Sequence, residues 1–138
     1  EKIAENRAQI RIVDYKTGGS PDMPPNVESL FIPDKKRSNY VFQTFLYAAI
    51  MSRQQNLKVA PSLLYIHRAA SEDYSPVICL KEGRNEAETV TDFSIYEDEF
   101  REALQKLLDE IFNPEVDFTQ TEVEEKCAYC DFKAFCRK

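Results

Sequence analysis

Ile10-Arg11-Ile12-Val13-Asp14-Tyr15-Lys16, followed by Thr17-Gly18-Gly19-Ser20-Pro21, is the stretch that decides the fold. β-Branched residues alternate with polar ones until the glycines and the proline break the pattern, which predicts a strand running into a loop. Side chains two apart on a strand share a face. Ile10, Ile12, Asp14 and Lys16 therefore point the same way, with both charges at the carboxyl end of an apolar row. A carboxylate and an ammonium at the rim of a buried face suit a divalent metal held by the acid, the amine steadying a water or a developing negative charge. A plain ion pair at a strand end is the competing reading of the same two residues.

Outward from this strand, the chain from Gly18 to about Ser38 carries Pro21, Pro24, Pro25 and Pro33 and little periodicity, so it is expected as a long surface connection. Ser38 or Asn39 can cap a helix running to about Gln55, because Val41, Phe42, Phe45, Leu46, Ala49 and Ile50 recur at helical spacing. Gln43 and Tyr47 are one turn apart on that mostly buried helix, and a polar strip there needs partners. An ordinary core hydrogen bond would also account for the pair. Ser62 to His67 is apolar on both parities, as in a strand covered on both faces, and Pro76 to Leu80 resembles its antiparallel neighbour.

A second helix is expected from Ser94 or Tyr96. Phe100, Ala103, Leu104, Leu107, Leu108, Ile111 and Phe112 form one stripe, and Asn113-Pro114 stops it. An acidic tail follows and leads into Cys127, Cys130 and Cys136. The order strand, long loop, helix, strand, strand, helix, cysteine tail describes helices around one mixed sheet.

With 138 residues, 43% hydrophobic and 30% charged, the chain can bury a core as one globular unit. Disordered, collagen-like and membrane-spanning classes are excluded. The net charge of −6 argues against a protein held mainly by phosphate backbones, but it is unevenly spread. Between Glu97 and Lys126 there are eleven acids and three bases, a net of −8, which leaves +2 for the remainder. Lys35-Lys36-Arg37 and the terminal Lys133, Arg137 and Lys138 read as solvated charge that permits nucleic acid without indicating it. Glu1 to Glu5 lacks the basic-then-apolar layout of a secretory signal, and the spacing of Cys127 and Cys130 favours a reducing interior over disulfides. A cytoplasmic location is expected, and the chain is read as a piece of something longer.

Asp14-x-Lys16 on a strand, Gln43-x3-Tyr47 on the next helix and Cys127-x2-Cys130-x5-Cys136 near the end closely resemble the PD-(D/E)XK nucleases of the RecB and AddB type, over nearly the whole chain. The resemblance implies a restriction-endonuclease-like α/β fold: a mixed β-sheet flanked by helices, with an irregular cysteine-containing tail. It makes residues 1–138 a single nuclease domain cut from a larger protein. The implied reaction is hydrolysis of DNA phosphodiester bonds with Mg2+ or Mn2+, as an exonuclease in DNA end processing and recombination repair. An AddA-like helicase and nuclease subunit would be its partner.

By that resemblance Asp14 binds the metal, the backbone carbonyl of Tyr15 completes its shell, and Lys16 orients the attacking water. Gln43 and Tyr47 position Lys16 or the DNA backbone. The family also carries an acid on the preceding strand. If residues 1–5 pair with 8–12 through a turn at Asn6-Arg7, Glu1 falls diagonal to Asp14 on the same side. The alternative is that the true acid lies outside this chain or was never present. Cys127, Cys130 and Cys136 match the last three thiolates of a four-iron four-sulfur cluster, expected in the full-length protein and not in this piece (residues 127–136 being an incomplete site). Cys79 reads as a small buried hydrophobe and His67 is given no role. Two rivals stand beside the enzyme: a catalytically degenerate nuclease fold that binds DNA or braces a helicase, and a zinc-stabilised interaction module built on the cysteine tail.

Overall fold

The computed structural model describes residues 9–34, 37–53 and 58–136. β1 (Gln9–Lys16) and β2 (Lys58–Tyr65) lie side by side in parallel, with Lys16 opposite Tyr65 and Asp14 opposite Leu63. A parallel pair needs a crossover, and α1 (Asn39–Ser52) supplies it. In parallel strands, paired residues project to the same side, so Asp14, Lys16, Leu63 and Tyr65 share one face. β2 is buried almost along its length, as its two-sided apolar sequence requires. It begins at Lys58, earlier than its apolar run shows.

Three expectations are corrected. Pro76 to Leu80 is not a full antiparallel strand: Ser62 and Val77 form one isolated antiparallel bridge, and Leu63 N donates to Pro76 O at 2.7 Å. Only Cys79–Leu80 (β3) is regular, and it pairs with Glu88–Thr89 (β4), a strand too short to leave a periodic signal. The proline-rich connection is not wholly on the surface. Val27 and Leu30 are 1% and 0% exposed, and a 3-10 turn at Glu28–Leu30 plugs them into the core. Ser38 stands at the N-cap position of α1, yet its hydroxyl donates to Asp22 Oδ2 at 2.6 Å and not to the helix.

α2 (Glu97–Ile111) has acids at its first three positions, which complement the positive end of a helix dipole, and it stops before Asn113-Pro114 as its sequence requires. Phe100 joins it to the core, a cluster that also holds Phe45, Phe93 and Tyr96. Arg101 ties the two long helices together: Nη2 donates to Ala49 O at 2.6 Å, satisfying a carbonyl in the last turn of α1, while Nε holds Glu97 at 2.7 Å. The described residues end in α3 (Glu124–Cys127) and α4 (Lys133–Cys136), short turns with mostly exposed side chains.

Candidate active site

The crossover brings one face of α1 over the carboxyl end of β1. Lys16 Nζ lies 2.7 Å from Asp14 Oδ2 and donates to Gln43 Oε1 at 2.8 Å. Gln43 Nε2 in turn donates to Tyr47 Oη at 2.7 Å. Asp14, Lys16, Gln43 and Tyr47 thus form one polar chain across two elements. The Lys16 and Asp14 side chains are 13% and 18% exposed, which separates them from an open pair at a strand end.

The polarity of this chain follows from its donors. An ammonium cannot accept, so it orients the Gln43 amide oxygen toward itself and leaves the NH2 to Tyr47. The Tyr47 oxygen accepts that bond, and its hydroxyl hydrogen is available to an outside acceptor. The side chain is 39% exposed.

Asp14 Oδ2 is buried and makes no hydrogen bond of good alignment; Lys16 meets it only as an ion pair. A hard oxygen donor with spare lone pairs is what Mg2+ or Mn2+ takes, and magnesium usually uses one or two protein carboxylates and fills its shell with water and phosphate oxygens. The donors present fit such an ion. The Tyr15 side chain is 65% exposed on the opposite face, so only its backbone is near. Glu1, the expected second acid, and the hairpin that would place it lie outside the described residues. Among the described residues, no group of three or more His, Cys, Asp or Glu side chains is gathered to hold a metal.

The cysteine tail does not close into a ligand set among the described residues. Cys127 ends α3, Cys130 follows in a turn, Cys136 ends α4, and all are free thiols, as is half-buried Cys79. His67 is exposed in a 3-10 turn after β2, with its ring 6.1 Å from that of Tyr65.

Two residues of the site were missed in the sequence. Tyr40 places its ring 4.2 Å from Lys16 Nζ. Its signal was present, since Tyr40, Gln43 and Tyr47 fall on one face of a helix at three- and four-residue spacing. Tyr65, opposite Lys16 in register, left no signal because the β1–β2 pairing is not local. Next to Tyr40, a cleft of about 230 Å³ is lined by Ser20, Asp22, Arg37, Asn39 and Tyr40. It shares Asp22 and Arg37 with a groove of about 580 Å³ along the proline-rich loop.

Tyr65 is 1% exposed and its hydroxyl is buried without a partner. Burial first, then the charges of Asp22, Tyr40, Tyr74 and Asp14, push its pKa up to about 12. The folded chain thus holds the proton after the unfolded chain has lost it. Stability is full below the ordinary tyrosine value of about 10 and falls as pH rises from there through the folded value, by an amount on the order of 2 kcal/mol. Tyr65→Phe should lose less stability on going from neutral to strongly alkaline buffer, and should gain slightly at neutral pH because an unsatisfied hydroxyl is gone. Urea unfolding of both proteins at the two pH values checks this; an equally steep alkaline loss in the variant would show that Tyr65 does not carry it.

The family model of the PD-(D/E)XK nuclease superfamily matches residues 2–137. The chain belongs to that superfamily, and its parallel β1–β2 pair with flanking helices is consistent with the restriction-endonuclease-like fold. Membership implies nuclease-type phosphodiester hydrolysis, a reaction that these enzymes typically carry out with divalent metals. No curated protein and no solved structure matches the chain. Among the described residues, no helix is long and apolar enough to cross a membrane.

Proposed function

We propose that this chain is the exonuclease domain of an AddB-like protein, hydrolysing DNA in end processing and recombination repair with Mg2+ or Mn2+. The observation that carries the reading is the continuous chain from Asp14 through Lys16 and Gln43 to Tyr47. Asp14 and the Tyr15 carbonyl would hold the metal, which supplies Lewis-acid polarisation of the scissile phosphate and of water. Lys16 orients the attacking water and offsets the charge that grows on phosphate oxygens as the bond to the leaving sugar oxygen breaks. Gln43 keeps that ammonium in place. Tyr47 offers its hydroxyl hydrogen to a backbone phosphate, and Arg37 lines the adjoining cleft as a second phosphate contact.

In the same reading, Glu1 or an upstream acid is the second carboxylate. Cys127, Cys130 and Cys136 belong to an iron–sulfur cluster completed by another part of a cytoplasmic parent protein, and an AddA-like helicase is its partner. The second reading is a degenerate nuclease domain that binds DNA without cutting. It is favoured by the single carboxylate, Asp14, in contact with Lys16 among the described residues.

The test uses the intact parent protein with linear duplex DNA. Degradation is expected with magnesium, is abolished by excess chelator and returns with added manganese, while covalently closed circles survive. Absence of cleavage together with absence of Asp14-dependent magnesium binding would establish the degenerate reading instead. Cleavage of closed circles would replace exonuclease with endonuclease action.

A further inference from the structure

We infer that Tyr40 is a positioning residue for the reaction: its ring face holds the Lys16 ammonium against Asp14 and Gln43. This rests on Lys16 being the catalytic amine proposed above. Lys16 Nζ meets three partners: Asp14 Oδ2 as an ion pair at 2.7 Å, Gln43 Oε1 by a hydrogen bond at 2.8 Å and the Tyr40 ring at 4.2 Å to its centroid. The first two lie on β1 and α1 and set a direction. Without a third contact, a four-carbon stem would still let the charge swing between them and solvent. The negative face of an aromatic ring closes that path without competing for a hydrogen bond.

The ring itself is held. Tyr40 packs against Tyr65, with centroids 6.4 Å apart and planes tilted by 58°. The backbone of Gly19 also approaches the ring so closely that an added Cβ would come 3.0 Å from Tyr40 Cε2. Gly19 also has φ +80°, a conformation that side-chain-bearing residues rarely adopt. Gly19, three residues past the end of β1, therefore leaves room for the ring that meets the lysine at the end of that strand. Strand and helix meet at this cation, so Tyr40 acts on the phosphate only through Lys16.

Tyr40→Leu should lower kcat about tenfold with KM unchanged, whereas Tyr40→Phe, which keeps the ring, should stay within about threefold. In a Lys16→Ala background, Tyr40→Leu should have no further effect. The ε-methylene protons of Lys16 should show an upfield ring-current shift by NMR that Tyr40→Phe retains and Tyr40→Leu loses. Gly19→Ala, which crowds the ring at Cε2, should reproduce the kcat loss and the lost shift, and it serves where Tyr40→Leu does not fold. If Lys16→Ala is itself fully active, the catalytic reading fails. If Lys16→Ala is impaired but Tyr40→Leu costs the same factor with and without Lys16, the positioning role is wrong.

Discussion

Lys16→Ala is expected to reduce kcat for phosphodiester hydrolysis by about a hundredfold to a thousandfold, the loss typical when one preorganised donor is removed from a developing anion. The side chain is 13% exposed and held by Asp14 and Gln43, so no reorganisation is needed to aim its charge. Alanine leaves the Asp14 carboxylate without its cation, and magnesium affinity should be kept or increased as the competing ammonium disappears. Turnover at saturating metal, with calorimetric titration of magnesium, separates these effects. A variant with parental kcat would remove Lys16 from the chemistry. A variant that loses magnesium binding as well would mean that the pair had served to keep Asp14 in place.

Phe100→Ala should destabilise the fold by roughly 3–5 kcal/mol, as large aromatic truncations in full cores do. Phe100 is 0% exposed, and its ring lies 5.3 Å from Phe31, and 5.8 Å from each of Phe42, Phe45 and Phe93. Those rings come from the proline-rich connection, from α1 and from the turn before α2. One truncation therefore loosens the connection, the turn and α2 where they pack on α1. Urea unfolding gives the loss directly, and a change below 1 kcal/mol would show that α2 is not anchored through this ring. Gln43 and Tyr47 lie on another face of α1, so kcat measured well below the unfolding transition should be preserved.

The two effects differ because the two sets of residues are built differently. Lys16, Gln43 and Tyr47 are few, polar and hydrogen-bonded in series, so removing one breaks the series. The aromatic cluster is apolar and many-sided, so removing one ring weakens packing everywhere while leaving the polar chain in place.

Asp14, Lys16, Gln43 and Tyr47 could be named in advance because each pair obeys a local period, two on a strand and four on a helix, and local periods survive in any sequence. Tyr40 obeys the same helical period. Nothing local, however, reveals that a lysine lies over its ring. The buried part of the connection is hidden from sequence for a related reason: prolines mark irregular backbone, but whether Val27 and Leu30 face water depends on what packs above them. β4 is two residues long and carries no period at all.

Local chemistry alone determined that this chain places an acid and an amine on one strand face, a glutamine and a phenol on one helix face, and strands and helices in the order of an α/β nuclease. That those two faces meet, that Tyr65 stands beside Lys16, and that Gly19 leaves room for Tyr40 were decided only in three dimensions. A parallel strand pair is closed by a crossover of dozens of residues, and contacts formed across such a distance depend on the packing of the whole core, not on any neighbour in the chain.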